Sequence, residues 1–246
     1  MCYTISYKNK DEKKLAKALG PAYPSKVVQL KTVYAASGFT NPEWPVITSG
    51  NPNEFQLFNW GLIPKWTPGI DLAKEFRLNN LNAKSETIFE KRSFSGPVKK
   101  QRCLIPVTGF FEWRDINKKK YPYHIHLKDE EVFCLGGIYD EWADKTTGEI
   151  INTFSIVTTA ANPLMAKIHN LKLRMPLILP KEKLNNWLQP DLSEEEITGI
   201  MKPFDGEQMA AHTISKRITS RTENPDSPET LAPFEYPELQ IIDLME

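Results

Sequence analysis

Residues 102–139, RCLIPVTGFFEWRDINKKKYPYHIHLKDEEVFCLGGIY, decide the fold class. Within them, 102–107, 121–127 and 132–139 are short runs of apolar, β-branched and aromatic residues. Runs of that length and composition read as strands rather than helices. Outward along the chain the same pattern recurs at 26–36, 54–60 and 153–159, and Gly or Pro punctuates it at 50–52, 61–64, 96–97 and 148, each a plausible turn or corner. Helical patterning is sparser. Residues 11–19 read as a short helix, Asn162 with Pro163 caps one running to His169, and 181–188 and 193–201 are amphipathic. With no internal repeat, low-complexity tract or linker, the expectation is one strand-rich α+β domain over residues 1–246, whose Pro-rich acidic end, from about residue 222, wraps over the surface as an irregular tail.

Bulk properties agree with one core. A chain of 246 residues, 40% hydrophobic and 25% charged with 19 prolines, suits a turn-rich globular domain rather than a disordered or coiled-coil chain. Net charge is zero, so no whole-molecule field favours nucleic acid or membrane. Its distribution is uneven: residues 77–120 carry eleven Lys or Arg against four Asp or Glu, whereas 181–246 carry six against fourteen. That asymmetry fits a nucleic-acid face or an ordinary solvated surface. Three cysteines without CxxC spacing predict neither a disulfide framework nor a zinc cluster. No apolar run approaches the ~20 residues needed to cross a bilayer, and the sequence starts without a basic-then-apolar signal. A reducing, cytoplasmic (in a bacterium, nucleoid-associated) monomer without cofactor or membrane contact is the expectation.

Cys2 is the most informative position. Methionine followed by a small residue is ordinarily removed, which would place an α-amine and a thiol on adjacent carbons. An α-amine of pKa about 7.7–8.0 is partly neutral near pH 7. Such a pair traps aldehydes, first as a Schiff base and then, by thiol closure, as a thiazolidine; the bland alternative is a small hydrophobe at the start of a strand. Glu112, in Gly109-Phe110-Phe111-Glu112-Trp113 just after a run read as a strand, is a carboxylate in apolar surroundings, where burial raises pKa and suits general acid/base work. His169, ahead of Arg174-Met175-Pro176, titrates in the range needed for proton transfer. His124 and His126 alternate along one strand face like a metal pair, but the sequence shows no third ligand nearby and no metal is expected. Asn82, in Leu81-Asn82-Ala83-Lys84-Ser85-Glu86-Thr87 where a strand gives way to a capped helix, could orient an amine or sugar hydroxyl, or simply form a turn. Lys84, Arg92 and Arg174 are candidate phosphate ligands, and Trp60, Trp66 and Trp113 candidate stacking surfaces for unpaired bases, though most tryptophans are core.

Several segments in order resemble the SOS response-associated peptidase family, the SRAP domain, whose members recognise abasic sites in single-stranded DNA. They are Met1-Cys2, Trp60-Gly61-Leu62-Ile63-Pro64, Asn82 to Thr87, Lys91-Arg92-Ser93-Phe94, Arg102-Cys103-Leu104-Ile105-Pro106, Gly109 to Trp113, Thr158 to Asn162, and His169 with Arg174-Met175-Pro176. The resemblance implies a central barrel-like sheet with a basic groove and short peripheral helices. It also implies a thiazolidine cross-link through Cys2, positioning and assistance by Asn82 and His169, proton handling by Glu112, phosphate contacts by Arg92 and Arg174, and a near-site role for Thr158. The partner it implies is single-stranded DNA containing abasic sites, with single-strand/double-strand junctions as one setting. Three departures stand out: Tyr3-Thr4 replaces the common Gly-Arg after the cysteine, residues 170–173 lengthen the usual His-x-Arg-Met-Pro, and Lys84 stands where many relatives carry Arg. Two rival readings remain: an N-terminal-nucleophile thiol peptidase or autoprotease using Cys2, Glu112 and His169, and a non-covalent reader of single-stranded or modified DNA in which Cys2 is structural.

Overall fold

All six residues of the 102–107 run are buried, so this strand must be covered on both faces. The computed structural model, which describes residues 2–8, 11–24 and 30–239, shows how. Its strands are β1 (Thr4–Tyr7), β2 (Val33–Ser37), β3 (Glu43–Thr48), β4 (Gln56–Trp60), β5 (Asn82–Lys84), β6 (Arg102–Val107), β7 (Gly109–Ile116), β8 (Lys119–Leu127), β9 (Phe133–Ala143), β10 (Ile150–Ala160), β11 (Arg174–Pro176), β12 (Ile178–Leu179) and β13 (Met209–Thr213). The α-helices are short: α1 (Glu12–Leu19), α2 (Ile70–Asn79), α3 (Pro97–Lys100), α4 (Pro163–Ile168), α5 (Leu184–Leu188) and α6 (Glu194–Ile200). The chain is a strand-rich α+β domain.

One sheet closes on itself. Pairing runs β10–β4–β3–β6–β9, and β9 returns to β10 through a seven-pair antiparallel register from Ile150↔Ala143 to Ile156↔Gly137. Closure removes the free edges of these five strands. β11 and β5 attach to β10, and β12 attaches to β9. The second sheet, in the order β13–β8–β7–β1–β2, packs beside this barrel, and one core cluster draws residues from both sheets.

Local chemistry explains the helix ends that matter for the site. Asn162 Oδ1 accepts from Met165 N (2.8 Å) while its Nδ2 donates to the Phe204 carbonyl (2.8 Å), so one amide starts α4 and ties it to the chain beyond α6. Pro163 at the first turn has no N–H to leave unsatisfied. The segment 61–67 is held by buried groups. Gly61 has φ 119°, and a Cβ there would lie 2.3 Å from the Arg77 carbonyl oxygen. Ile63 N donates to Thr153 Oγ1 (2.9 Å), Lys65 N to Asp140 Oδ2 (2.8 Å), and Trp142 Nε1 to the Thr67 carbonyl (2.8 Å).

The basic stretch at 77–120 is less of a surface than its composition implies. Arg102 is fully buried, and its guanidinium donates to the carbonyls of Val98, Lys99, Trp187 and Gln189. Arg114 is also buried. Arg102 serves the fold, and burial takes both charges off the exposed basic surface. Residues 26–29 of the run read as a strand lie outside the described residues; β2 occupies its end. Along the chain beyond 222, Asp226 accepts from Tyr34 N (2.5 Å) and Tyr236 Oη donates to the Ile214 carbonyl (2.9 Å).

Candidate functional site

The four residues singled out for chemistry meet where the second sheet abuts β5 and the end of α4. β1 and β7 are antiparallel, with Ile5 opposite Phe110 and Ser6 opposite Gly109. Extended two residues, that register sets Glu112 against Tyr3, beside Cys2. Glu112 is the fourth residue of β7, the strand that directly follows the one read at 102–107. From the other side β5 runs parallel to β10, with Asn82 opposite Ile156, and Asn82 Nδ2 donates to the Cys2 carbonyl (2.9 Å). The residues after Asn82 form a short 3-10 turn, not a capped α-helix. Asn82 Oδ1 is buried and has no hydrogen-bond partner, an acceptor available to a group bound at Cys2.

His169 terminates α4, its N–H donating to the Met165 carbonyl (2.7 Å). Its Nδ1 lies 2.9 Å from the Arg174 carbonyl. A carbonyl only accepts, so Nδ1 carries the proton and Nε2 presents its lone pair. That lone pair faces Glu112 Oε2 at 3.7 Å. Burial raises the Glu112 pKa to about 7 and lowers that of His169 to about 4. The imidazole is thus neutral at pH 7, short of the mid-range titration expected from its sequence position. Burial also pushes the Cys2 thiol up, and the nearby Glu112 carboxylate adds to the rise. The thiol itself donates to the Thr4 carbonyl (3.6 Å).

The lengthened His169-to-Arg174 spacing leaves this geometry intact. The His169 carbonyl accepts from Lys172 N (3.2 Å) and Leu173 N (2.8 Å), closing residues 170–173 into a loop, with Leu173 at φ 52°. Asn170 anchors that loop by a reciprocal pair with the Asp115 backbone (3.0 and 2.8 Å). Arg174 then re-enters a sheet opposite Ala160. Its Nη2 donates to the Thr158 carbonyl (2.7 Å) and Oγ1 (3.1 Å), and its Nη1 pairs with Glu86. Burial works against ionisation of Glu86, but the Arg174 contact, together with hydrogen bonds from its own backbone N–H and Ser85, holds the carboxyl below its usual range.

The remaining predicted residues separate clearly. Lys84 is exposed and lies opposite Thr158 in register. Arg92 is exposed and sits over the Trp66 ring, 4.1 Å from its centroid, while Phe76 meets the same ring edge-on. Trp113 lines a cavity of about 500 Å³ with Glu112, His169, Tyr3, Phe39 and Leu171. Two expectations are corrected. Trp60 is fully buried, with Nε1 donating to the Leu81 carbonyl (2.8 Å), so it is core and no base can stack on it. Thr158 is fully buried as well and holds Arg174 instead of facing a ligand. Sequence reading missed Glu86 as the partner of Arg174, and missed Tyr3 and Phe39, whose rings lie 4.9 Å apart. The Tyr3 signal was available in its departure from the usual glycine.

A model of the family described as SOS response associated peptidase (SRAP) matches residues 1–221. The chain belongs to this family. Among its SRAP relatives, abasic site processing protein YoqW of Bacillus subtilis is 34% identical over 188 residues, covering 76% of this chain and 80% of the relative. Abasic site processing protein HMCES of Gallus gallus is 31% identical over 197 residues, covering 72% of this chain and 56% of the relative. A crystal structure of a protein from Bacteroides thetaiotaomicron superposes with a TM-score of 0.86 at 43% identity, covering 95% of this chain and all of that one. No helix among the described residues of this SRAP chain is long and apolar enough to cross a membrane.

Proposed function

We propose that this SRAP protein captures abasic sites in single-stranded DNA, including those at single-strand/double-strand junctions, as a covalent adduct on Cys2. The observation that carries the reading is the convergence of Cys2, Asn82, Glu112 and His169 in one buried site, in a chain whose relatives are named abasic site processing proteins. In the sequence as it stands, the Cys2 nitrogen is a peptide nitrogen, so removal of Met1 is the enabling step. The freed amine attacks the ring-opened sugar aldehyde, giving a carbinolamine. A proton from Glu112 lets its hydroxyl leave as water, and a Schiff base remains. That Schiff base keeps the amine's remaining N–H; the thiol then gives its proton to the Glu112 carboxylate, sulfur bonds the imine carbon, the C=N electron pair returns to nitrogen, and a five-membered thiazolidine closes.

Each neighbour has a defined part in this reading. Asn82 holds the Cys2 carbonyl and offers Oδ1 to the amine or the sugar. His169 Nε2 faces the Glu112 carboxyl and can accept a hydrogen bond from it while the carboxyl keeps its proton. Lys84 and Arg92 bind phosphates, with Trp66 and Trp113 as stacking surfaces for unpaired bases, and Arg174 adds positive charge through a guanidinium already shared with Glu86. Arrest at the Schiff base would instead permit β-elimination, as in a lyase. A thiol peptidase, the activity in the family's name, would be a second use of the same residues, and removal of Met1 by the protein itself would be a limited form of it.

The test mixes mature protein with single-stranded DNA carrying one abasic site, beside an undamaged strand, on a denaturing gel. A shift seen only with the lesion and lost in Cys2→Ala is expected. A heat-stable adduct retained by Cys2→Ala overturns the mechanism. No adduct from protein shown by mass spectrometry to begin at Cys2, together with cleavage of unrelated peptides, would favour the peptidase; salt-sensitive binding indifferent to the aldehyde would favour a non-covalent reader.

A further inference from the structure

A second cavity, of about 670 Å³, opens beyond the end of β1 opposite to Cys2. Its wall carries five lysines from four segments: Lys8 after β1, Lys14 and Lys17 on α1, Lys128 after β8 and Lys181 after β12. Asp129, Glu130 and Glu131 face the same space, and Glu131 takes Lys14. Lys8, Lys17 and Lys181 are exposed and form no ion pair with another described residue. In a chain of zero net charge, cations gathered around a concavity repel one another and focus a positive potential into it. A bound anion would relieve that repulsion.

The same wall holds three of the four histidines. β13 pairs with β8 so that His212 stands directly opposite His124, and His126 is two residues further along the same face of β8. The ring centroids form a triangle, 5.6 Å from His124 to His126, 5.3 Å from His124 to His212 and 5.9 Å from His126 to His212. His126 Nδ1 lies 2.9 Å from the Leu127 carbonyl and His212 Nε2 lies 2.9 Å from the Leu231 carbonyl, so both of these nitrogens carry protons. Ser6 Oγ donates to the Gly109 carbonyl (3.3 Å) and sits 3.4 Å from His124 Nε2, which makes that nitrogen the donor to the hydroxyl. Lone pairs remain on His124 Nδ1, His126 Nε2 and His212 Nδ1. His124 Nδ1 is buried without a hydrogen-bond partner, a cost that a core contact alone does not explain. Burial, the two neighbouring rings and Lys8 lower the His124 pKa to about 3, and burial lowers that of His212, so both rings are neutral at pH 7.

The cavity thus sets unmatched cations beside imidazole acceptors, and the ligand that answers both is an anion still carrying a proton. A phosphomonoester, with its second pKa of about 6, is such a group, whereas a phosphodiester has no proton to share. We propose that this cavity binds a phosphomonoester, with Lys8, Lys17 and Lys181 on its oxygens and its proton shared with the lone pairs of the histidine cluster. The charge-assisted bonds from lysine give the affinity, and the proton gives the choice of monoester over diester. The bonds from His126 and His212 to their carbonyls stay in place, because the ligand uses the other nitrogen of each ring. A free nucleotide and the phosphorylated end of a DNA strand both present this group, and the cavity volume is in the range of small-ligand sites.

Calorimetric titration of the full-length protein in phosphate-free buffer tests the site, with adenosine monophosphate as the probe and cyclic adenosine monophosphate as the diester of the same nucleoside. One monoester per chain is expected, bound at least about 10-fold more tightly than the diester and weakened about 10- to 100-fold by Lys8→Met and by His212→Asn. Circular dichroism checks that these variants fold; Lys8 is exposed and His212 only half-buried. Arg92→Ala, on the surface assigned to DNA, should leave this binding unchanged. Paired titrations in buffers of different ionisation enthalpy should show proton uptake, with affinity falling between about pH 6 and about pH 8 as the shared proton is lost. Tighter binding of a short single strand once its end is phosphorylated would place the group on DNA, and a response to the nucleotide alone would place it on a free metabolite; both support the site. Absence of monoester binding at millimolar concentration, equal affinity for the diester, or binding lost in Arg92→Ala and kept in Lys8→Met and His212→Asn overturns the proposal.

Discussion

Replacement of Glu112 by Gln separates the cost of burying a carboxylate from its chemical use. In the folded chain its pKa is about 7 against an ordinary 4.5, so the group ionises at higher pH when folded than when unfolded. The folded state thus binds more protons between those values. This contribution to stability is fully present below pH 4.5 and lost as pH rises through about 7. At about 1.4 kcal/mol per pH unit, the loss between pH 5 and pH 8 amounts to about 2–3 kcal/mol. Gln is neutral throughout and close in shape. Glu112→Gln should therefore gain stability relative to the parent by that amount on going from pH 5 to pH 8, roughly 5–10 °C in the difference between melting temperatures for a chain of this size. The assay is a pair of thermal melts for each protein at the two pH values. Over the same range the variant should form adduct roughly 10²–10⁴-fold more slowly, the usual worth of a positioned acid/base. A difference in melting temperature independent of pH would refute the argument that burial holds this carboxyl neutral.

Three further outcomes are expected. Asn82→Ala removes the donor to the buried Cys2 carbonyl and should cost roughly 1–3 kcal/mol; denaturant unfolding checks this, and adduct formation should slow beyond what the lost stability explains. Arg92→Ala should weaken binding of single-stranded DNA and flatten the salt dependence by about one phosphate contact, read by fluorescence anisotropy across a salt series. Gly109→Ala would drive a Cβ to 2.2 Å from His124 Nε2 and 2.9 Å from the Ile125 carbonyl, costing about 3 kcal/mol, whereas Gly199→Ala in α6 meets nothing within 4 Å and should stabilise by about 0.4–1 kcal/mol; melting temperatures compare the two.

The parts of this fold that were legible are those where one residue sufficed. Asp11, Asn162 and Ser193 announce α1, α4 and α6 because a side-chain oxygen caps each helix locally. The strands at 102–107 and 153–159 follow from apolar runs that need two-sided cover. By contrast α2 begins at Gly69 with no side-chain cap and buries only Ala73, so neither punctuation nor periodicity marks it. Barrel closure is a pairing of β9 with β10 that no local pattern specifies. The same limit applies to the site. Glu112 was visible as a carboxylate among aromatics, but the 3.7 Å approach of His169 depends on α4 being tethered by Asn162, and the Arg174–Glu86 pair joins residues 88 positions apart. His212, the partner that turns an alternating His124/His126 pair into a triangle, enters only through β13.

The opposed shifts at Glu112 and His169 also order the steps of the proposed reaction. At pH 7 His169 is neutral and Glu112 is near half-protonation, so the proton available in the site resides on the carboxyl. That favours Glu112 as the acid that expels water from the carbinolamine. The thiol, raised by burial and by the Glu112 charge, is a poor nucleophile while the carboxylate is ionised and unoccupied by substrate. Once Glu112 has given up its proton to the leaving hydroxyl, it becomes a base whose charge reaches the thiol, and the imine carbon it has helped create is now electrophilic. The feature that suppresses the thiolate in the resting site therefore takes up its proton after the Schiff base forms. Amine attack precedes sulfur attack, and the Glu112→Gln variant, with a neutral amide in place of that base, should accumulate reducible Schiff base, trapped by borohydride, ahead of thiazolidine.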